Sequence, residues 1–332
     1  MGYTQRLLWF AMALGPQTFS GDLYTYGELF AGERAWSRGM SMMGYEGKSF
    51  DSEYKEFANG IFKTDFLTPF GFLCVFKHIM SMHVGGVFLA ACPCWSWIFM
   101  TRYSTGRHLN PLGAVEQWKV RAQNALVARI VYLLVLCIKR GVFWLVEQPW
   151  SSILFEHPRW KWLMRRYGHL IEWIDSDMGA YTLDCVKPSV WVGTVPYLGE
   201  IARKLAPAGK TLVRRNPARK QTSITYLDSN GKKRCQGGDD LHGTQTYATG
   251  FGCQHSLAYS ESCRHHVCAK QPGHDLCVDP DSDSEIGDDD EECFGDFKHG
   301  FGFFYADTLA TASSSSSHDT GGCPASNPEV KI

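Results

Sequence analysis

The stretch GGVFLAACPCWSW, residues 85–97, decides the fold, because an apolar run ends abruptly in a proline between two cysteines. Residues 85–91 have the length and apolar content of a strand covered on both faces of a sheet. Pro93 has no backbone N–H, so it ends that strand and fixes the chain direction. Cys94 is thus presented at the strand's carboxyl end, where a thiol can serve as a nucleophile. A buried structural thiol is the alternative for Cys94, and core packing is the expectation for Cys92.

The regions around this stretch alternate between strand-like and helix-like patterns. Strands are predicted over 24–30, 48–51, 63–67, 85–91, 142–146 and 189–195, and helices over 34–43, 70–83 and 114–140. This alternation predicts an α/β fold, a Rossmann-like, doubly wound, mostly parallel sheet with helices on both faces. Ligands bind such sheets at the carboxyl ends of the strands. Gly32, Asp51, Cys94 and Glu147 all follow predicted strands, so we expect them along one edge.

The charge of the chain is segregated although its net charge is only −1. Residues 275–332 carry 14 acidic residues and 2 Lys/Arg, whereas residues 1–274 carry 31 Lys/Arg and 20 acidic residues. We predict an N-terminal extension (1–23), a Rossmann-like domain (24–202), a basic hairpin with a C-terminal cap (203–262) and a disordered Cys/His-containing, acidic and Ser-rich tail (263–332). Asn230-Gly231 is a hairpin turn signal within the basic segment, and the composition of the tail cannot support a core.

A basic body favours nucleic acid as partner, with DNA preferred over RNA, although a merely solubilising surface is the alternative. Trp95 and Trp97 are candidates for stacking on bases. The predicted nucleic-acid contacts are Trp95, Arg107, Arg214, Arg215, Arg219, Lys220, Lys232 and Lys233. For Arg107, as for Arg129, a structural ion pair is the competing interpretation.

The composition argues against a secreted or membrane protein. Residues 7–15 are apolar but lack a clear cleavage site, so the thiols are expected to be mostly reduced. Residues 125–140 are interrupted by Arg129 and predict a helix packed on the sheet, not a membrane span. The Cys/His residues between Cys263 and Cys277 match no zinc-site spacing, and we predict no metal there. We expect a monomer. A nuclear location suits a DNA partner, and a cytoplasmic location is the alternative.

Two further positions favour chemistry over packing. Phe30-Ala31-Gly32 follows a strand and lets a ligand approach the backbone, while Asp51 at the next strand end suits a ribose. A simple turn is the alternative for Gly32. Glu147 ends another buried strand, where a carboxylate is costly unless it is paired or meets a ligand. Capping of the following segment is the alternative for Glu147.

These motifs together resemble those of the DNA cytosine-5 methyltransferases over residues 24–152. ELFAG (28–32) resembles the family's first cofactor motif, PCWS (93–96) its Pro-Cys nucleophile motif, and EQP (147–149) its Glu-Asn-Val motif. The chain is also similar to a group of algal proteins with the pattern LFSG, PPCSSW, EQPxSS and KPT, which matches Lys187-Pro188-Ser189. Trp95 and Gln148 replace the family's Gln and Asn, and neither a Gln-x-Arg-x-Arg motif nor a large target-recognition domain is evident.

The resemblance implies an S-adenosylmethionine site at Phe30, Ala31, Gly32 and Pro93, with Asp51 on the ribose and Asp65 near the adenine. It implies that Cys94 adds to carbon 6 of a flipped cytosine and that Glu147 holds ring nitrogen 3. An exocyclic-amine methyltransferase is a competing interpretation on the same scaffold, but Cys92-Pro93-Cys94-Trp95 lacks its second proline. A catalytically inactive nucleic-acid-binding module is the alternative from another class.

Overall fold

A computed structural model describes residues 23–54, 61–182, 185–216, 223–237 and 249–266 of the chain. Nearly all of the predicted N-terminal extension and C-terminal tail lies outside these residues. The strands are β1 (Tyr24–Leu29), β2 (Gly47–Asp51), β3 (Ile61–Lys63), β4 (Met82–Ala90), β5 (Phe143–Pro149), β6 (Glu172–Asp177), β7 (Pro188–Gly193), β8 (Ser223–Leu227) and β9 (Lys233–Gly237).

Seven of these strands form one sheet in the order β3-β2-β1-β4-β5-β7-β6. The strands β1 to β5 pair in parallel, and β7 runs antiparallel to both β5 and β6. Because β1 and β4 are neighbours, the chain reverses its direction of winding between them, which creates the crevice where such folds bind ligands. The predicted Rossmann-like, mostly parallel sheet is confirmed.

Helices cover both faces of the sheet. They are α1 (Ala35–Met42), α2 (Pro69–Met80), α3 (Trp118–Arg140), α4 (Pro158–Tyr167), α5 (Gly179–Thr182), α6 (Leu198–Ile201), α7 (Pro207–Arg215) and α8 (Thr249–His266). Phe88 of β4 packs in one core cluster with α2, α3 and α4, whereas Val87 and Leu89 pack in a second with α1, α6 and α8. Alternate residues of one strand thus serve opposite cores, which explains its unbroken apolar sequence.

The longest helix, α3, lies within the first of these cores. Its length and mean hydropathy of 1.6 would suit a membrane span, but 61% of its most apolar window is buried inside the protein. Arg129, which interrupts its apolar sequence, donates from Nη1 to the carbonyl oxygens of Phe66 (2.7 Å) and Thr68 (3.2 Å). This arginine therefore ties α3 to the start of α2, and the predicted packing of the helix on the sheet is confirmed.

The predicted third strand over 63–67 is wrong in its position, because β3 ends at Lys63. The Asp65 carboxylate accepts from the Leu67 N–H (2.9 Å), and the Thr68 hydroxyl accepts from the Gly71 N–H (3.0 Å) to cap α2. These local hydrogen bonds make residues 65–68 a turn that leads into α2, in place of a strand. No sequence pattern predicted β6 either, because its residues EWIDSD are largely polar.

Candidate active site at the carboxyl edge of the sheet

Four parallel strands end in register at the edge where the candidate residues lie. Leu29 of β1 pairs with Phe50 of β2 and with Ala90 of β4, and Ala90 pairs with Val146 of β5. These four residues form one row across the sheet. Phe30, Asp51, Cys94 and Glu147 follow that row by one to four positions. The expected convergence of the motifs on one edge is therefore present in the backbone.

The turn after β1 is open on its outer side. Phe30 (φ 61°) and Gly32 (φ 47°) both adopt the left-handed conformation, which is costly for phenylalanine. A Cβ built on Gly32 would meet nothing within 4 Å, so the backbone there can be approached by a ligand. The Gly32 N–H donates to Oδ2 of Asp51 (2.9 Å), which joins this turn to the end of β2.

A buried carboxylate near this turn, that of Glu28, joins β1 to α1 through hydrogen bonds. Glu28 is fully buried, and its Oε2 accepts from the Ser37 N–H (3.0 Å) and from the Ser37 hydroxyl. Ser49 of β2 donates its hydroxyl to Ser37 (2.7 Å), so the two strands and α1 share one polar network. Burial raises the pKa of Glu28 to about 7, against the lowering effect of the Ser37 bonds.

Two further carboxylates, the half-buried Asp51 and the exposed Asp65, follow the neighbouring strands β2 and β3. Asp51 accepts a second bond from the Glu53 N–H (2.9 Å), which leaves lone pairs on both of its oxygens for a hydroxyl donor. Asp65 lies two residues beyond β3, and the Phe30 ring meets the neighbouring Phe66 ring edge to face (5.7 Å). An open turn, an apolar ring and two acceptors fit a nucleoside that carries hydroxyl and amino groups. These residues therefore fit the cofactor that the sequence implies.

The Cys94 segment is held in place by the strand that carries Glu147. Gln148 is fully buried and donates from Nε2 to the carbonyl oxygen of Cys92 (2.7 Å). Its Oε1 accepts from the Ser152 hydroxyl (2.8 Å), so both ends of the amide are used. On the other side of the thiol, the Trp97 N–H donates to the Cys94 carbonyl oxygen (2.9 Å). Hydrogen bonds thus fix the chain on both sides of Cys94.

Glu147 is buried against the antiparallel strand. Its Oε1 accepts from the Ser189 hydroxyl (2.5 Å) and lies 3.9 Å from the Lys187 ammonium. Because β7 runs antiparallel, its first residues lie at the edge where the parallel strands end. Lys187 precedes Pro188 and has φ 33°, a strained conformation of the kind that clusters at functional sites.

The charges of Glu147 and Lys187 act on the Cys94 thiol. The pKa of Cys94 is raised to about 11, first by burial and then by the negative charge of Glu147, while Lys187 lowers it. Cys92 is buried, as expected for a core residue, and burial raises its pKa further still. Both residues are thiols and not disulfides. Cys94, Glu147 and Lys187 therefore form one interacting group.

The predicted nucleic-acid contacts divide into accessible and buried side chains. Trp95 is exposed beside Cys94, and Arg214, Arg215, Lys232 and Lys233 are also exposed. Arg219 and Lys220 lie outside the described residues. Arg107 is only 3% exposed: it stacks on Trp97 (3.4 Å) and donates to the Pro111 carbonyl and the Ser96 hydroxyl. Its packing argues against the predicted direct contact with phosphate.

Trp97 is wrong as a stacking candidate, because it is fully buried beneath Arg107. Of the predicted Cys/His cluster, Cys263 is exposed, and the remaining side chains lie outside the described part of the chain. Within the described ranges, no three His, Cys, Asp or Glu side chains are grouped to hold a metal ion.

Sequence reasoning missed Lys187, Ser189 and Gln148 as members of the site. Lys187-Pro188-Ser189 stands out in the sequence only as part of a pattern shared with the algal proteins. Its position beside Glu147 depends on the antiparallel direction of β7, which the sequence does not encode locally. Gln148 stands out only as a departure from a motif, and its hydrogen bond to Cys92 is a tertiary contact.

Comparisons with known proteins assign the chain to no family. No family model matches the chain, and no curated protein sequence matches it. Among solved structures it is similar to a methyltransferase from Entamoeba histolytica, with 12% sequence identity and a TM-score of 0.37. The match covers 55% of this chain and 56% of that one, so the chain spans about half the length of that protein.

Proposed function

We propose that the protein is an S-adenosylmethionine-dependent methyltransferase of the cytosine-5 type that acts on a base in nucleic acid. The observation that carries this proposal is the placement of Cys94 and Glu147 at the carboxyl ends of the neighbouring parallel strands β4 and β5, with the open turn at Phe30–Gly32 at the end of β1, the next strand along. A nucleophile, a carboxyl group and an open turn that a cofactor can approach, all on one edge, are the minimum set for this chemistry.

The methyl donor would be held by Phe30, Ala31, Gly32, Asp51, Asp65 and Pro93. The open backbone at Gly32 and the acceptor oxygens of Asp51 support this assignment. When bound, S-adenosylmethionine supplies an electrophilic methyl group. The chain's own contribution is to orient that group toward the position of the acceptor base.

Cys94 would supply the covalent step. Its thiol gives its proton to water, and the sulfur electron pair forms a bond to carbon 6 of the cytosine. The ring electrons move toward nitrogen 3, which takes up the proton released by the thiol, passed on through the Glu147 carboxylate. Carbon 5 then carries the electron pair that accepts the methyl group. Loss of the carbon 5 proton to water returns the electron pair to sulfur, releases Cys94 and allows nitrogen 3 to return its proton to Glu147.

Lys187 and Ser189 would control Glu147 in this scheme. The 3.9 Å ion pair and the 2.5 Å hydrogen bond both involve Oε1, so the two residues orient the carboxyl group through one of its oxygens. The Lys187 ammonium also favours the thiolate form of Cys94. We therefore assign Lys187 as a positioning residue whose charge acts on both members of the pair.

A mechanism-based trap tests the proposal. Cytosine bearing fluorine at carbon 5 has no proton to lose there after methylation, so the bond from Cys94 to carbon 6 persists. We expect a covalent complex on denaturing gels that forms only with S-adenosylmethionine and disappears in Cys94→Ser. Cys92→Ser is the matched control, because that thiol is buried two residues away and should leave the complex intact. Failure of the wild-type protein to form an adduct on either DNA or RNA would refute the cytosine-5 assignment.

The second candidate is a catalytically inactive module that binds nucleic acid. The raised pKa of Cys94 favours it, since a thiol near pKa 11 is almost fully protonated at neutral pH. The exposed basic residues of α7 and of the β8–β9 hairpin would then provide the contacts. The same trap separates the two, because the inactive module binds the polymer and forms no adduct.

A further inference from the structure

A cleft of about 560 Å³ lies beside the catalytic edge. Its walls come from the segment after β4 and the segment after β5, and they include Phe99, Arg102, Tyr103, His108, Leu109 and Ile153. This volume is within the range of small-ligand sites. We call it the 99–156 cleft, after the first and last residues that line it.

The cleft is joined directly to the two strands that carry the catalytic pair. Residues 95–111 continue from Cys94, and residues 150–156 continue from Glu147. The Ile153 N–H donates to the Trp97 carbonyl oxygen (3.0 Å), and Arg102 donates from Nη2 to the carbonyl of Ser151. A ligand in the cleft therefore sits on a scaffold that is continuous with the active site.

Exposed rings line the cleft in an arrangement suited to stacking. Tyr103 is 80% exposed, and its ring stacks on His108 with centroids 4.3 Å apart and an interplanar angle of 23°. Tyr103 therefore enters the cleft as a pre-oriented ring whose other face is open. Phe99 and Leu109 are exposed next to it. A patch of exposed apolar side chains on a protein surface often marks an interaction site.

The charge in the cleft is positive. Arg102 and Arg107 both line it, and Arg107 stays charged at neutral pH although burial lowers its pKa to about 10. Each has a buried Nε–H without a hydrogen-bond acceptor among the described residues. The carboxylate among these lining residues, that of Glu156, is paired with Lys161 at 2.8 Å. The cleft thus offers cations and aromatic faces together, which is the combination that binds a nucleotide.

We propose that the 99–156 cleft binds an unpaired nucleotide of a single-stranded nucleic acid, next to the base that reacts at Cys94. A base within a duplex has both faces stacked on its neighbours, so only an unpaired base can stack on Tyr103. Arg102 attracts the phosphate of that nucleotide, while Arg107, buried against Trp97, adds positive charge behind the cleft wall without contacting the phosphate. This inference rests on the proposed function, and it supplies an acceptor contact in a chain where no large target-recognition domain is evident in the sequence.

Binding of a fluorescein-labelled twelve-nucleotide dT strand, followed by anisotropy, tests the cleft without requiring catalysis. Stacking on an aromatic side chain is worth about 1–3 kcal/mol per base, so Tyr103→Ala should raise Kd ~5- to 150-fold. Tyr103→Phe is the matched control, because it keeps the ring and should stay within about twofold of wild type. Circular dichroism checks that both variants are folded.

The outcomes separate this inference from the proposed function. Unchanged Kd in Tyr103→Ala, or no binding by the wild-type protein, overturns the cleft even if the Cys94 trap succeeds. A duplex of the same length that binds as tightly, with the same dependence on Tyr103, overturns the single-strand assignment. Loss of binding in Tyr103→Ala with no covalent trap supports the cleft and refutes the cytosine-5 reaction alone.

Discussion

The reactivity of Cys94 should depend on Glu147 and Lys187, two side chains that are distant from it in sequence. The negative charge of Glu147 raises its pKa, and the ammonium of Lys187 lowers it. Replacing Glu147 with Gln removes the first effect and keeps the shape of the side chain. Replacing Lys187 with Met removes the second effect and keeps most of the aliphatic chain. The two variants should therefore shift the titration of Cys94 in opposite directions.

The structure sets the scale of these shifts. At 3.9 Å the Lys187–Glu147 attraction is about 4 kcal/mol with an effective dielectric constant of ~20. Charges in such a partly buried site act on their neighbours more strongly than they would in water. Burial is the largest cause of the raised pKa of Cys94 and the charge of Glu147 is the second. Glu147→Gln should therefore lower the pKa of the thiol from about 11 by on the order of 1 unit, and Lys187→Met should move it above 11.

Alkylation by iodoacetamide, quantified by mass spectrometry of the peptide that contains Cys94, measures this titration. Since only the thiolate reacts, the rate at pH 8 is proportional to the thiolate fraction. We expect Glu147→Gln to react on the order of 10-fold faster than wild type, and Lys187→Met to react more slowly. Fragmentation of the peptide distinguishes Cys94 from the buried Cys92.

Lys210→Met is the matched control for the loss of a lysine. Lys210 also pairs with a buried carboxylate, that of Asp177 at 3.3 Å, on the edge strand β6, which β7 separates from the strand of Glu147. The charges that shift the pKa of Cys94 are those of Glu147 and Lys187, and not that of Lys210. This variant should leave the alkylation rate of Cys94 unchanged. A wild-type rate in Glu147→Gln would mean that the carboxylate does not act on the thiol, and the pairing on which the proposed function depends would be refuted.

Four further results are expected. The pKa of Glu28 is about 7 in the folded protein and 4.5 ordinarily, so its contribution to stability is complete below pH 4.5 and is lost as the pH rises through 7. Urea titrations should show that the free energy of unfolding falls by on the order of 3 kcal/mol over that window. Glu28→Gln should abolish this pH dependence. Gln148→Ala leaves the buried Cys92 carbonyl unpaired and should cost about 1–3 kcal/mol in the same assay, whereas Trp150→Ala, at an exposed neighbour, should cost little. Asp51→Ala should weaken S-adenosylmethionine binding at least tenfold by calorimetry, and an unchanged Kd would remove Asp51 from the cofactor site. Deleting residues 275–332 removes a net charge of −12 and should tighten DNA binding at low salt; equal affinity would refute the expectation that this segment competes with phosphate.

The sheet edge was predictable from the sequence because each of its strands carries its own signal. The apolar runs before Gly32, Cys94 and Glu147 have the length of buried strands, and turn residues follow each of them. Parallel strands bring such ends together without any further information. Local sequence patterns are therefore sufficient to locate the strand ends and the candidate residues beyond them.

The partners of these residues were not predictable, because they depend on tertiary contacts. Lys187 reaches Glu147 only because β7 is antiparallel, and nothing in PSVWVG specifies that direction. Arg107 and Trp97 each look suited to nucleic acid, but they stack on each other and bury both side chains. A local pattern identifies residue types that can bind a polyanion, whereas burial decides which of them are free to do so.

The arrangement around Cys94 has a consequence for when the thiol becomes reactive. In the protein alone, partial burial and the charge of Glu147 keep the half-buried Cys94 thiol protonated, which protects it from alkylation and oxidation. In the proposed reaction, the proton that the thiol releases passes through Glu147 to nitrogen 3 of the base, so the negative charge of the carboxylate is reduced while the thiolate forms. The reduced charge favours the thiolate, since the charge of Glu147 raises the pKa of Cys94. We infer that the acceptor base itself activates the nucleophile, and that Glu147→Gln would expose a reactive thiol at the cost of turnover.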